Sequence, residues 1–131
     1  MRTVATEQQR ECIVQVSFHL VFGGQCEAAF QFYERALGGK IVHANFAVGA
    51  TVLAGADVLP EQYVKPQGFY VLLSVDDAMD AERMFSALAE NGEVQMAIQR
   101  TFWSPCFGVL TDQFGIPWEL NCEQAPAVVQ R

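Results

Sequence analysis

Apolar and polar side chains alternate from residue 13 to residue 22, and this period of two predicts a half-buried strand. Beyond Gly23 and Gly24 the apolar residues recur at the spacing of one helix face. The members of this face are Cys26, Ala29, Phe30, Tyr33 and Leu37. Gly38 and Gly39 are expected to end the helix, because glycine adopts the left-handed conformation common at helix C-termini.

Alternation resumes over residues 41–48, which predicts one strand with Val42 and Phe46 on one face and Ile41 and Asn45 on the other. Gly49 and the short apolar run 50–54 predict a turn and a further strand. Residues 55–68 contain two prolines and no period, which is typical of a connection.

The same order of elements follows that connection. We predict a strand over residues 69–75, a helix that begins after Asp76 and Asp77, and a helix end at Asn91 and Gly92. Three strands are then predicted at Glu93–Gln99, Cys106–Thr111 and Pro117–Cys122, with a turn over residues 112–115. Recurrence of strand, helix and strands in one order indicates an internal repeat.

These elements predict one α+β domain over residues 13–123, since a chain of 131 residues supports a single core. We place module 1 at about 13–56, a linker at 57–67 and module 2 at about 68–123. The ends, 1–12 and 124–131, are expected to be flexible.

Polar residues occupy the strand face opposite to the helices. They are Ser17, His19, His43, Asn45, Tyr70, Ser74, Glu119 and Asn121. Two interpretations stay open, because such a face can line a ligand-binding cup or can simply be the solvated side of an open sheet.

Charge and composition exclude some classes of binding partner. A net charge of -7 and the absence of any Lys or Arg run argue against nucleic acid. Apolar stretches are only strand-sized and the first eleven residues are polar, so we expect a cytoplasmic protein with no membrane contact. The four cysteines have no metal-ligand spacing and are expected to be reduced, with Cys26 as a candidate reactive thiol at a helix N-terminus.

Several segments resemble one known family. Residues 24–29, Phe32-Tyr33 and residues 37–39 resemble the first helix of PhnB-like proteins, and residues 101–103 and 108–118 resemble the TFW and LTDxFGxxW signatures of that branch. This branch belongs to the vicinal oxygen chelate (glyoxalase/bleomycin resistance/dioxygenase) superfamily. The resemblance implies two βαβββ modules that form a curved mixed sheet with helices on the outer face, around a small-molecule site.

Two departures from the family are apparent. PhnB-like chains carry another strand between the end of the first helix and the strand that contains His43, whereas residues 39–42 of this chain lead directly into His43. We therefore expect module 1 to be shortened to β-α-β-β. We also expect a homodimer that covers the exposed edge of its sheet. The positions where the resemblance would place metal ligands hold Ser17, Ala54, Tyr70 and Glu119. Only Glu119 is a good donor, so we expect no cofactor; if a divalent metal binds, the candidate ligands are His19, His43 and Glu119.

Three functions follow as hypotheses. The first is a bleomycin-resistance-like protein that binds or sequesters a small molecule, with Tyr70, Phe102 and Trp103 as ring surfaces and Trp118 in the core. The second is a glyoxalase-type metal-dependent lyase or isomerase, or a hydrolase, with Glu119 as general base and a histidine as acid or metal ligand. The third is a dimerisation or interaction scaffold. No glycine-rich loop follows a strand, so we expect no nucleotide cofactor.

Overall fold

The computed structural model describes residues 14–42 and 44–123, which contain two α-helices and eight strands. The helices are α1 (Cys26–Leu37) and α2 (Ala78–Leu88). The strands are β1 (Phe18–Phe22), β2 (Lys40–Val42), β3 (Asn45–Val48), β4 (Thr51–Asp57), β5 (Val71–Val75), β6 (Glu93–Gln99), β7 (Cys106–Thr111) and β8 (Pro117–Cys122). A short 3-10 turn at Pro60–Gln62 lies between the two halves.

The strands form two four-stranded sheets of the same design. The first sheet has the order β1-β4-β3-β2 and the second has the order β5-β8-β7-β6. In each sheet the first strand pairs in parallel with the last, and the remaining neighbours are antiparallel. The α+β class and the two repeated modules are therefore confirmed, although the strands make two separate sheets rather than one continuous curved sheet.

Module 1 is not reduced to β-α-β-β, as the sequence had suggested. In place of the strand predicted over 41–48, the chain forms two short strands, β2 ending at Val42 and β3 beginning at Asn45, which pair antiparallel. Chain reversal places Ile41 opposite Phe46, so these two share a face and Ile41 packs against the core. A tight turn inside an alternating run inverts the faces beyond it, which is why the predicted faces of β2 were wrong. His43 lies outside the described residues.

The helix ends follow the sequence signals closely. Gly38 has a φ of 77° and its N–H bonds the Glu34 carbonyl, which ends α1. Asp77 caps α2 by accepting a bond from the Asp80 N–H at 3.1 Å. At the start of α1 the cap comes from another element, because Asp57 at the end of β4 accepts bonds from the N–H groups of Gly24 and Cys26 at 3.0 and 2.9 Å.

Both modules share one hydrophobic core. Its buried members come from α1, α2 and the helix-covered faces of both sheets. Phe46 and Leu53 represent the first sheet, Leu110 and Trp118 the second. Since the helix-covered faces share this core, the uncovered faces of the two sheets point away from it. Within the described segments no helix has the length and apolarity that a membrane crossing requires.

A buried carboxylate joins the two modules. Asp112, in the turn between β7 and β8, accepts bonds from the Tyr33 hydroxyl at 2.6 Å and the Trp118 indole N–H at 2.8 Å through Oδ2. Its Oδ1 accepts the N–H groups of Phe114 and Ile116 at 2.8 and 3.0 Å. Burial raises the pKa of Asp112, and these four bonds oppose that rise. The LTDxFGxxW-like segment is therefore a structural motif here.

Candidate ligand-binding face

The uncovered side of the second sheet, called face 2, is organised in rows by strand register. Leu72, Glu119 and Val109 are direct cross-strand partners in one row. Ser74, Asn121 and Phe107 form the next row. Partners in register point to the same side of a sheet, so Glu119 has an apolar side chain on each side and Phe107 in the adjoining row.

Three aromatic rings stand at one end of face 2. Phe102 and Trp103 lie in the loop between β6 and β7 and are 96% and 53% exposed. Their ring centroids are 4.8 Å apart at an interplanar angle of 86°, and Trp103 lies 5.4 Å from Phe107 at 73°. We call Phe102, Trp103 and Phe107 the aromatic ladder. Phe107 was not among the predicted site residues, although its alternation with Val109 in the predicted strand places it on this face.

The loop that carries the aromatic ladder is fixed by hydrogen bonds of Ser104. This buried hydroxyl donates to Asn121 Oδ1 at 2.5 Å and lies 2.8 Å from the Cys106 carbonyl. The Thr101 N–H bonds the Ser104 carbonyl at 2.9 Å, and the Trp103 N–H bonds Thr101 Oγ1 at 3.3 Å. Asn121 therefore anchors the aromatic loop, a role that the sequence pattern did not indicate.

Glu119 carries an unpaired charge. Its side chain is half-buried, and it makes no hydrogen bond or ion pair with any residue that the structure describes. Tyr70 lies at the other end of face 2, where a cavity of about 340 Å³ is lined by Tyr70, Gln95, Thr111 and Pro117 among others. Face 2 thus combines exposed rings, an open cavity and one free carboxylate.

The remaining predicted site residues lie on the first sheet. His19, Ala54 and Asn45 form one cross-strand row on its uncovered side, called face 1, and Ser17 precedes β1. His19 and Ser17 are exposed and Asn45 is half-buried. The predicted site residues are therefore divided between the two sheets of the chain. Ser17, His19 and Asn45 lie on or beside face 1. The others, Tyr70, Trp103, Glu119 and Asn121, lie on or beside face 2.

Of the three candidate metal ligands, the structure describes His19 and Glu119. Over residues 14–42 and 44–123, no three His, Cys, Asp or Glu side chains come together as a metal site. His19 and Glu119 belong to different sheets, and the positions occupied by Ser17, Ala54 and Tyr70 offer no strong ligand. Glu119 is therefore isolated from other hard donors within the described part of one chain.

Cys26 begins α1, as expected, but its environment opposes activation. It lies beside a cavity of about 440 Å³ with Phe30 and Gly55. Burial raises the pKa of Cys26, and the neighbouring charge of Asp57 raises it further, which favours an apolar packing role over the alternative of a reactive thiol. Cys106 and Cys122 are buried cross-strand partners, and burial together with Cys122 raises the pKa of Cys106 to about 12.

The sequence and the fold are both similar to those of known proteins. Residues 13–120 match the Glyoxalase/Bleomycin resistance protein/Dioxygenase superfamily. Protein YjdN of Escherichia coli (strain K12) is 29% identical over an alignment of 137 positions. The alignment covers 81% of this chain and 93% of that protein.

Two solved structures have the same fold. Protein PA1353 from Pseudomonas aeruginosa superposes with a TM-score of 0.79 at 38% identity, over 86% of this chain and 99% of the other. A PhnB protein from Bacillus cereus superposes with a TM-score of 0.72 at 20% identity, over 83% and 99% of the two chains. Similarity at this lower identity concerns the fold alone.

Proposed function

Since the chain belongs to the glyoxalase/bleomycin resistance protein/dioxygenase superfamily, we propose that it binds or sequesters a small molecule on face 2, without carrying out chemistry on it. The observation that carries this proposal is the exposed aromatic ladder beside the unpaired Glu119. Within the superfamily we assign the chain to the PhnB-like branch, on the basis of its TFW and LTDxFGxxW-like segments.

The ladder is the strongest support, because large rings are normally buried. Two adjacent aromatic side chains at 96% and 53% exposure leave apolar area in water that a ligand would cover. The anchoring of the loop by Ser104 and Asn121 fixes the backbone at Trp103 before a ligand arrives. A site organised in advance loses less conformational entropy on binding.

The other two hypotheses have less support. A glyoxalase-type lyase or isomerase needs a set of metal ligands around Glu119, and the described residues contain no cluster of three His, Cys, Asp or Glu side chains. A hydrolase needs a general acid or base in hydrogen-bond reach of the substrate, and Glu119 has no hydrogen-bonded partner among the described residues. A scaffold filled by its own side chains would leave no open ring surface, yet face 2 keeps exposed rings and a cavity of about 340 Å³.

We also propose that the protein is a homodimer. Face 1 and face 2 belong to separate sheets, and each sheet ends in two edge strands. The edge strands β1, β2, β5 and β6 add unpaired backbone groups that a partner could cover. Size-exclusion chromatography with light scattering at micromolar concentration should give twice the 14.5 kDa chain mass. A stable 14.5 kDa species would contradict this proposal.

The binding proposal is tested by a thermal-shift screen of planar aromatic compounds, followed by calorimetry of the hits. A ligand that binds the folded state raises the melting temperature by mass action. Replacement of Trp103 by alanine should weaken binding roughly tenfold or more, because a ring contact contributes about 1–3 kcal/mol at a ligand site. Met79→Ala is the matched control, since Met79 is also exposed but lies on α2. Equal affinities of Trp103→Ala and the unmodified protein would contradict a site at the ladder.

A further inference from the structure

Face 2 carries a charge as well as rings, and from this combination we infer the chemical class of its ligand. We infer that the ligand is an organic cation with an aromatic or quaternary ammonium group, held between the aromatic ladder and the carboxylate of Glu119. This inference rests on the proposed function, because it assigns a ligand class to the same face.

The first argument is the uncompensated charge of Glu119. Its cross-strand neighbours are Leu72 and Val109, which are apolar and cannot solvate a carboxylate. Lys65, which lines the cavity, and Arg100, which precedes the aromatic loop, form no ion pair with it. A half-buried carboxylate between apolar side chains interacts more strongly with a cation than one in bulk water does. The missing partner is therefore of positive charge.

The second argument is the arrangement of the rings. Consecutive members of the ladder pack edge to face, at 86° and 73°, and Phe102 and Trp103 remain 96% and 53% exposed. Aromatic faces carry negative potential and attract cations, quaternary ammonium groups among them. Trp103, at the centre of the ladder, has the ring type that attracts cations best.

The third argument is the charge of the whole chain. With Asp and Glu outnumbering Lys and Arg by 15 to 8, the net charge is -7. A surface of this sign attracts cations and repels anions over distances of about a Debye length, roughly 8–10 Å at physiological salt. An anionic ligand on face 2 would be repelled by the net negative charge of the chain and by Glu119.

The test compares two probes of equal shape and different charge. They are (3-hydroxyphenyl)trimethylammonium and its neutral isostere 3-tert-butylphenol, each titrated into the full chain by calorimetry or by nuclear magnetic resonance. The cation should bind at least roughly fivefold more tightly, which corresponds to the range expected of a cation–π contact with a nearby carboxylate. Added salt should weaken the binding of the cation and leave the affinity of the neutral probe unchanged.

Three variants separate the two proposals. Glu119→Gln should remove most of the preference for the cation. Trp103→Ala should lower the affinity for both probes. Glu34→Gln, on the exposed side of α1, should change neither affinity. Equal affinity for the two probes, with both still dependent on Trp103, would overturn the cation assignment and leave the binding site intact. Failure of both probes to bind at millimolar concentration would overturn the assignment together with the site on face 2.

Discussion

Asp112 determines how the two modules meet, through side-chain bonds to Tyr33 of α1 and Trp118 of β8. All four bonds that it accepts come from groups that are largely removed from water. The sequence placed Trp118 in the core from its alternation in the predicted strand, and it is fully buried. It could not identify Tyr33 as the partner of Asp112, because the two are separated by 79 positions and only the packed core brings them together.

Tyr33→Phe should lower the free energy of unfolding by roughly 1.5–3 kcal/mol at neutral pH, the usual range for a buried bond to a charged group. Urea unfolding measures the change, and Tyr70→Phe, an exposed tyrosine without a side-chain bond in the described structure, should change stability by less than about 0.5 kcal/mol. A loss no larger than that of the control would contradict the role of the bond.

The cost of Tyr33→Phe should also depend on pH. Burial raises the pKa of Asp112 and the Tyr33 bond lowers it, so removal of that bond raises the folded-state pKa further. A carboxyl group with a raised folded pKa contributes stability that is complete below the unfolded pKa of about 3.9 and is lost as pH rises through the folded value. The destabilisation should therefore be larger at about pH 8 than at about pH 5. The same loss at both pH values would show that Asp112 does not change protonation in this range.

Among the elements, the last three strands, α1 and the start of α2 were predicted with their observed bounds, whereas α2 ends at Leu88 and not at the predicted Asn91 and Gly92. Their periods are unbroken and their ends carry local signals, such as Gly38 and Asp77. The β2–β3 hairpin was missed because residues 40–48 alternate without a glycine or proline at the turn. Strand pairing with β4 decides this turn, and pairing is a contact between distant segments.

Gly55 shows how closely α1 packs on β4. A Cβ at this position would lie 2.5 Å from Phe30 Cζ and 2.8 Å from Cys26 Sγ. Gly55→Ala should therefore destabilise the fold by about 1–3 kcal/mol through overpacking. Ala54→Ser is the matched control, because it adds one atom to the neighbouring residue on the uncovered face and should cost less than about 0.5 kcal/mol. Similar losses in the two variants, measured by urea unfolding, would contradict the close approach of the helix.

At the scale of the whole molecule, one core implies one unfolding transition. Trp103 and Trp118 both belong to module 2, whereas far-ultraviolet circular dichroism reports α1 as well as α2. The two signals should coincide during urea unfolding, since residues of both modules build the main hydrophobic core. A fluorescence transition displaced from the dichroism transition would show that module 2 unfolds separately and that the shared core is not cooperative.

By itself the sequence determined the α+β class, the repeat and most element bounds, because each of these depends on local periods and turn residues. Only the tertiary structure decided that His19 and Glu119 lie on different faces, that Asn121 anchors the aromatic loop and that Phe107 joins Trp103. Alternation states which side of its own strand a residue occupies. It contains no information on how two sheets are turned relative to each other, since that orientation depends on packing between residues far apart in the chain.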